Sequence, residues 1–452
     1  MDEQSLETSI LSPPLVEAQP LRLLVPALLV IAGMLVLGVL AYRERAWIDT
    51  QVWKDALIVR SSGDIPDGAI AARMRFIDAS NFPGTPELEL AGNSLLPNID
   101  WNPRERLTAL DMPDGVWATV IESGSVPAPN SNEVIAGALC RLNTFSVDGQ
   151  VFTVVGKLQS GTPGLSFSYL CRESEAMIFL MHAEGEPGWI DPQGQTRAHE
   201  ELESEIDENA SIVMPFAPVS KPVSFVALGA IALIVCGAGF AQVRIVRHLA
   251  KHFEIVRWFV APAIEYRGLF IAMHALCYGA YFVPSIVAVW APVQNLTLLT
   301  IVSGFFTEGD LSHIGDAYIS GNVFAAAWAT FYNNFIVQTL YLSILPSLLI
   351  PFIGVLKTAF SLLIAGFALS PIWTSLIEKM TFHSVTLSFE CEAYIFAAFA
   401  MSAYVLYIVR WFNGKRESFT SAIQVVVSGT LLSAAILIIA ALFEAATLIA
   451  WS

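Results

Sequence analysis

Ionisable residues lie in or beside the long apolar stretches of the C-terminal half, where they could carry chemistry. A charged group inside a bilayer is costly, so each is a candidate for function. They are Lys357, Glu378, Lys379, His383, Glu390, Glu392 and Glu444. For Lys357 we expect a side chain that reaches the cytoplasmic interface. For the residues from Glu378 to His383 we expect a short, solvated connection outside the membrane.

Glu390 differs because small residues surround it. We expect it to begin an apolar helix, where the helix dipole favours a carboxylate. Residues at three- and four-residue steps share its face and allow close helix packing; they are Ala393, Ala397 and Ala400. Two interpretations follow. Glu390 is either structural, as a helix cap or in a buried hydrogen bond to Asn333 or Asn334, or it acts directly in gating, transport or partner binding.

An enzymatic reading would use His383 and Glu390 as metal ligands or as acid and base. Metalloproteases of that kind need a HExxH pair on one helix, and the chain has no such spacing. It also lacks a Walker A motif, a GxSxG elbow and a kinase signature. We therefore predict a non-enzymatic protein without cofactor or metal. If it uses ATP, we expect it to do so through a partner.

The composition indicates a membrane protein. Of the 452 residues, 55% are hydrophobic and 14% are charged, which lies outside the range of ordinary soluble domains. The net charge of −16 is concentrated in residues 43–221, which indicates one acidic domain in water. Such a domain repels nucleic acid, so we expect none among the partners.

Hydropathy divides the chain into four parts. Residues 1–20 predict a disordered cytoplasmic tail, 21–42 a transmembrane anchor, 43–221 an extracytoplasmic domain, and 222–452 a helical membrane bundle. Further spans are predicted at residues 223–243, 268–291, 333–355, 359–373, 387–409 and 422–451. The fold class is therefore a polytopic α-helical membrane protein with about seven transmembrane helices. Residues 292–331 could form interfacial or re-entrant helices.

Short apolar runs separated by turn residues indicate that residues 43–221 form an α+β domain. We predict strands, of which one could instead be a helix, at residues 56–60, 68–77, 115–122, 133–142, 150–158, 165–172 and 176–182. An acidic stretch at residues 200–208 predicts a solvated helical face or linker back to the membrane.

Basic residues set the orientation. The loop after the second predicted helix contains Arg244, Arg247, Lys251 and Arg257, which places it in the cytoplasm. With it we expect the N-terminus to be cytoplasmic and residues 43–221 to be extracytoplasmic. Read as one amphipathic helix, residues 244–267 either lie flat on the inner leaflet or dock on a cytoplasmic ATPase.

The five cysteines are too few for a disulfide scaffold. Cys140 and Cys171 share the outer domain and could pair in an oxidising compartment. The other three fall in apolar segments, where they are expected to pack as small hydrophobic residues; they are Cys236, Cys277 and Cys391.

Residues 132–159 read NEVIAGALCRLNTFSVDGQVFTVVGKLQ, with alternating apolar residues after an Asp148-Gly149 turn. This segment resembles the periplasmic core domain of MacB-type ABC permeases. That resemblance implies a mixed domain between the first two helices, and a permease that works with an ATPase.

Residues 331–356 read FYNNFIVQTLYLSILPSLLIPFIGVL, and residues 383–404 read HSVTLSFECEAYIFAAFAMSAY. Residues 331–450 are similar to the stage II sporulation protein M family. On that pattern the polar landmarks are Asn333, Asn334, Gly354, His383 and Glu390. Two departures stand out: Ser384 replaces a glycine, and His383 precedes Glu390 by seven residues instead of four.

These resemblances imply a non-enzymatic envelope subunit of a bacterial inner membrane that scaffolds or couples envelope remodelling. Its partners would be the lipid bilayer and an extracytoplasmic envelope protein or glycan. The alternatives are an ABC-type permease or transport subunit with a separate cytoplasmic ATPase, and an intramembrane enzyme.

Overall fold

The computed structural model describes residues 23–51, 53, 56–60, 62–77, 81, 99–100, 105–159, 165–172, 186–191, 211–213, 217–307, 309 and 311–451. The tail at residues 1–20, the strand predicted at 176–182 and the acidic stretch at 200–208 lie outside these residues.

The chain enters through helix α1 (Leu24–Ile48) and then forms one mixed sheet. Its strands and one short helix are β1 (Leu57–Arg60), β2 (Ile70–Phe76), β3 (Ile99–Asp100), β4 (Arg106–Leu110), α2 (Asp114–Val120), β5 (Ile121–Gly124), β6 (Glu133–Ala136), β7 (Thr144–Val147), β8 (Gln150–Leu158), β9 (Ser168–Arg172), β10 (Glu186–Asp191) and β11 (Ser211–Val213). The strand order is β3-β11-β1-β10-β2-β4-β9-β6-β8-β5, and β7 also pairs with β8. We call residues 49–219 the sheet domain.

With the helix α2, the sheet is compatible with the predicted α+β domain. It contains both parallel and antiparallel neighbours. For example, β9 lies parallel to β4 and antiparallel to β6. The predicted turn is present as well, because Asp148 and Gly149 have φ angles of 49° and 81° and connect β7 to β8. Positive φ at both central residues matches the twist of a two-residue hairpin.

Two of the predicted runs are not strands throughout, and one of them is the helix for which the sequence prediction left room. Residues 115–122 are mostly the helix α2, which buries Trp117 and Val120 on one side and passes directly into β5. The three-residue step between these two apolar residues is typical of a helix and not of a strand. The strand predicted at 133–142 ends at Ala136, and the following chain turns so that the amide of Gly137 bonds to Ser168 of β9.

The C-terminal half is helical. Its elements are α3 (Lys221–Leu249), α4 (Glu254–Glu265), α5 (Arg267–Ala288), α6 (Pro292–Thr307), α7 (Ser312–Ile319), α8 (Val323–Phe331), a π-helix (Tyr332–Ile344), α9 (Leu345–Leu349), α10 (Ile353–Ala368), α11 (Thr374–Phe412) and α12 (Ser418–Trp451). Helix α11 lies at the centre and packs against α1, α3, α5 and α12. In the order of the chain, the sheet domain lies between α1 and α3.

Five helices in the described part of the chain are long and apolar enough to cross a membrane, namely α1, α3, α5, α11 and α12. Many large apolar side chains on them are exposed, for example Leu24, Phe240 and Val283. Lipid tails can solvate such side chains, so the protein is membrane-embedded. The prediction of seven spans is not confirmed.

The predicted number of spans differs from the observed number because of residues 333–355 and 359–373. The chain does not continue as one helix there but turns at residues 350–352, where Phe352 has a left-handed φ of 64°. Pro351 follows the end of α9, and proline disfavours a helical conformation at the residue before it. Residues 359–373 correspond to the short α10, which ends at Ala368.

Two other boundaries also differ. The span predicted at 387–409 belongs to α11, which begins at Thr374 because the stripe of Ile377, Met380 and Ser384 is already buried. The single helix proposed for residues 244–267 is interrupted after Leu249, so its predicted apolar stripe is divided between α3 and α4.

The sheet domain contacts the bundle directly. Pro218, in the chain that enters α3, forms an antiparallel bridge with Trp373, just before α11. The amide of Val219 donates to Ile372 and the amide of Thr374 donates to Ala217, each at 3.0 Å. This short pairing attaches the end of the sheet domain to the start of the central helix.

Candidate functional site

The Asn333–Asn334 pair lies in the first turn of the π-helix. The wide turns of this helix are supported by hydroxyls that donate five residues back: Thr339 to the carbonyl of Asn334 at 2.6 Å, and Ser343 to that of Gln338 at 2.9 Å. Segments of π-helix are frequent at functional sites because they displace side chains from the regular helical positions. Here the displaced side chains are amides that face α11.

Glu390 accepts a hydrogen bond from this asparagine pair. The Nδ2 atom of Asn334 donates to Oε1 of Glu390 at 2.7 Å, and Nδ2 of Asn333 donates to Oδ1 of Asn334 at 3.0 Å. The bond to Asn334 is one of the structural alternatives that the sequence left open. The expected helix start is wrong, however, because Glu390 lies about 24 Å along α11 from Thr374, at about 1.5 Å per residue.

Glu444 of α12 completes the site. A cavity of about 340 Å³ is bordered by this carboxylate and Glu390, by the two asparagines, and by Tyr318 and Thr330. Tyr318 and Thr330 are linked by their hydroxyl oxygens at 3.0 Å. We call this set of residues the Glu390 site. Sequence reasoning included Glu444 among the ionisable residues but gave it no partner, because its neighbours come from other helices.

His383 lies within α11 and not in the predicted solvated connection. It is two helical turns before Glu390, so the two side chains share a face. Its Nδ1 atom is 4.0 Å from Oε1 of Glu444. Together with Glu378 and Lys379, both residues border a second cavity, of about 430 Å³. Glu444 therefore borders both cavities.

Gly354 does not join the Glu390 site. It lies in the first turn of α10, where its amide donates to Oγ of Ser347 at 2.9 Å. A Cβ at this position would be 2.6 Å from the carbonyl oxygen of Ser343, so only glycine permits this close approach. Lys357, in the next turn, donates to the carbonyl of Gln338 at 3.2 Å, an acceptor that the prediction did not foresee.

The proposed docking residues lie at the far end of the bundle from the sheet domain. Arg244 and Arg247 are exposed in the last turns of α3, and Lys251 follows in the turn. Arg257 of α4 donates to the carbonyl of Ala250 at 3.3 Å, which links α4 to the end of α3. These residues form a basic edge, but not on the single helix that the sequence suggested.

The same end holds an ion pair between α4 and α11. Glu265 accepts hydrogen bonds from Tyr407, at 2.7 Å, and from Arg410, whose guanidinium lies over the ring of Tyr266. Burial alone raises the pKa of Glu265, but the hydrogen bonds from Tyr407 and Arg410 outweigh it and lower this pKa below its ordinary value. Burial also raises the pKa of Tyr266, to about 12.

Cys140 and Cys171 are not joined by the disulfide considered from the sequence. Each donates to a different carbonyl, Cys140 to Ser166 at 3.8 Å and Cys171 to Thr108 at 3.7 Å. Burial, reinforced by the nearby carboxylate of Glu105, raises the pKa of Cys140. The two residues share one apolar core without a covalent bond between them.

Sequence reasoning missed a second polar cluster. Glu392, fully buried on α11, contacts His274 and Tyr278 of α5. Glu392 was noted as ionisable, but the two α5 residues were not considered. An available signal was the four-residue spacing of His274 and Tyr278, which places two polar side chains on one face of an otherwise apolar helix.

Carboxylates, amides and an imidazole near a cavity can bind a proton or a cation and can orient a polar ligand. Among the described residues, no group of three or more His, Cys, Asp or Glu side chains is arranged to hold a metal ion. The resemblances to the stage II sporulation protein M and MacB-type families remain predictions. Comparison with known proteins found no family model, no curated protein and no solved structure that matches this chain.

Proposed function

We propose that this protein is a non-enzymatic membrane subunit of the bacterial envelope, which couples partner binding by the sheet domain to the membrane bundle. The pairing of residues 217–219 with residues 372–374 is the observation that carries this proposal. A partner that shifts the sheet domain would pull on the start of α11, since backbone hydrogen bonds connect the two.

Trp373 reinforces this junction. It is fully buried, and its Nε1 atom donates to Oδ1 of Asn295 at 2.8 Å. Asn295 in turn donates to the carbonyls at the end of α10. Phe167 of the sheet domain packs in the same apolar cluster. The junction thereby links the sheet domain, α6, α10 and α11.

Helix α11 would carry such a movement into the membrane. It runs without a break from Thr374 to Phe412 and contains both Glu390 and Glu392. In the proposed orientation the N-terminus and the basic edge at Arg244 and Arg247 are cytoplasmic, and the sheet domain is extracytoplasmic. The sheet domain then meets an envelope protein or glycan, and the basic edge meets cytoplasmic proteins or the inner leaflet.

The test is cross-linking in intact cells, followed by purification of the full chain and mass spectrometry of its partners. Recovery of cell-wall enzymes or envelope scaffolds without an ATPase supports the proposal. A Trp373→Phe variant should retain these partners, yet show a smaller partner-dependent change in hydrogen exchange along α11, because it weakens the junction. If the sheet domain of the full chain captures no envelope protein or glycan, the proposal is wrong.

A second candidate is a transport subunit of the ABC-permease type. The observation that favours it is the cavity between Glu390 and Glu444, because polar groups that border a cavity inside a membrane often mark a substrate or ion path. This function requires a nucleotide-binding ATPase that copurifies at near-equal stoichiometry and is stimulated by the chain. In that case the basic edge from Arg244 to Arg257 would be its docking site.

A further inference from the structure

Glu392 lies on the side of α11 opposite the Glu390 site. It is about 27 Å along the helix from Thr374, at about 1.5 Å per residue, and is 0% exposed. An ionised carboxylate at such depth is costly unless another group compensates its charge. The groups that contact Glu392 therefore decide whether its carboxyl group is ionised.

Both carboxylate oxygens have a partner on α5. Oε1 accepts the hydroxyl of Tyr278 at 2.5 Å, and Oε2 is 3.3 Å from Nε2 of His274. From α3, Gly239 covers the contact, since a Cβ there would be 2.5 Å from both Oε1 of Glu392 and the Tyr278 hydroxyl. Among the residues that the structure describes, three uncharged thiols also lie near enough to Glu392 to interact with it, those of Cys236, Cys277 and Cys391.

A second contact of His274 shows which nitrogen of its imidazole ring carries a proton. Nδ1 of His274 is 2.8 Å from the carbonyl oxygen of Phe270, and a carbonyl only accepts, so Nδ1 carries a proton. A neutral imidazole then has a bare Nε2, which would face the lone pairs of Oε2. The 3.3 Å contact is favourable only if one more proton lies on Nε2 or on Oε2.

We propose that Glu392 and His274 form a proton-binding site inside the bundle, in which the carboxyl group and the imidazole hold one exchangeable proton between them. The proton has two arrangements, imidazolium with carboxylate or imidazole with carboxylic acid, and both satisfy the contact. This inference does not depend on the proposed coupling function.

His274 is the less enclosed member of the pair. The side chain of His274 is 20% exposed, whereas that of Glu392 is 1% exposed. Removal of the proton would leave a carboxylate opposite a nitrogen lone pair, so the contact between α5 and α11 depends on proton occupancy. Binding of the proton thus stabilises the packing of α5 against α11.

The test uses the full chain in lipid nanodiscs at about pH 8, where an exposed histidine, with a pKa of about 6.5, and an exposed glutamate, with about 4.3, hold almost no proton. Nitrogen NMR of the histidine rings reports on Nε2 of His274. Infrared difference spectra of wild type and Glu392→Gln report on the carboxyl group. His274→Asn assigns the ring signal; if that variant does not fold, correlation to Met273 and Ala275 does so in the wild type.

We expect one proton in the pair, seen either as an imidazolium or as a carboxylic acid signal. Tyr278→Phe is the matched control, because it removes only the donor to Oε1 and should leave that proton in place. An unprotonated Nε2 together with an ionised Glu392, or two protons in the pair, overturns the proposal.

Discussion

Glu390 and Glu392 are two residues apart on α11, yet their carboxylates face opposite sides of this helix. Glu390 accepts Asn334 of the π-helix, and Glu392 accepts Tyr278 of α5. One central helix therefore presents two acidic groups to two different sets of neighbours. Variants of each set can be tested separately.

The bond between Asn334 and Glu390 should contribute measurably to stability. Asn334→Ala removes the donor and leaves the carboxylate oxygen Oε1 without it, at a cost of about 1–3 kcal/mol. We expect a lower thermal unfolding temperature in detergent. Asn333→Ala is the matched control, since it preserves this bond and should have a smaller effect. Equal losses in both variants would contradict the assigned role of Asn334.

Gly239 should tolerate no side chain. In Gly239→Ala the new Cβ would be 2.5 Å from Glu392 and Tyr278, so α3 must move away from α11. Overpacking of this kind costs about 1–3 kcal/mol. Gly229→Ala, on the same helix but with open space around its Cβ, should be neutral or gain up to about 1 kcal/mol from helix propensity. Thermal unfolding of both variants checks this, and a neutral Gly239→Ala would show that the helices are less closely packed.

Trp373→Phe should weaken the junction between the sheet domain and the bundle. The ring remains, but Asn295 loses the donor to its buried Oδ1 atom, which costs about 1–3 kcal/mol. Limited proteolysis should then cleave faster at residues 217–220. Trp290→Phe, an exposed position, is the control. Unchanged cleavage in Trp373→Phe would mean that this hydrogen bond does not hold the junction together.

The Glu265 ion pair should make stability dependent on acid pH. Because the folded protein lowers the pKa of Glu265, its contribution is complete above the unfolded value of about 4.3 and is lost as the pH falls through the folded pKa. In Glu265→Gln this part of the acid-induced decrease should vanish. Glu254→Gln, on the exposed surface of the same helix, controls for a change in charge. A variant with the wild-type pH profile between about pH 3 and 6 would refute the assignment.

Both cysteines of the sheet domain should be alkylated after denaturation without any reductant, because neither forms a disulfide. In the folded protein Cys140 should react slowly near neutral pH, since the thiolate is the reactive form and the pKa of Cys140 is raised. Intact mass after maleimide treatment measures both effects. If alkylation required reductant, a disulfide would be present instead.

The sequence by itself determined the class of the protein and several of its elements. Runs of apolar residues identified α1, α3, α5 and α12, because spanning length is a local property of the chain. The hairpin at Asp148-Gly149 was equally local, since two residues with positive φ set its geometry. Glu390 and Glu392 were recognisable as charged residues within an apolar segment.

Only the tertiary structure decided which groups these carboxylates meet. Asn334 and Glu390 are 56 residues apart in the chain, and His274 and Glu392 are 118 apart. Periodicity assigns a side chain to a face of its own helix, but it does not say which helix covers that face. The packing of α11 between α5 and the π-helix makes that choice, and the turn at Phe352, which the apolar pattern concealed, is what brings the π-helix and α10 together.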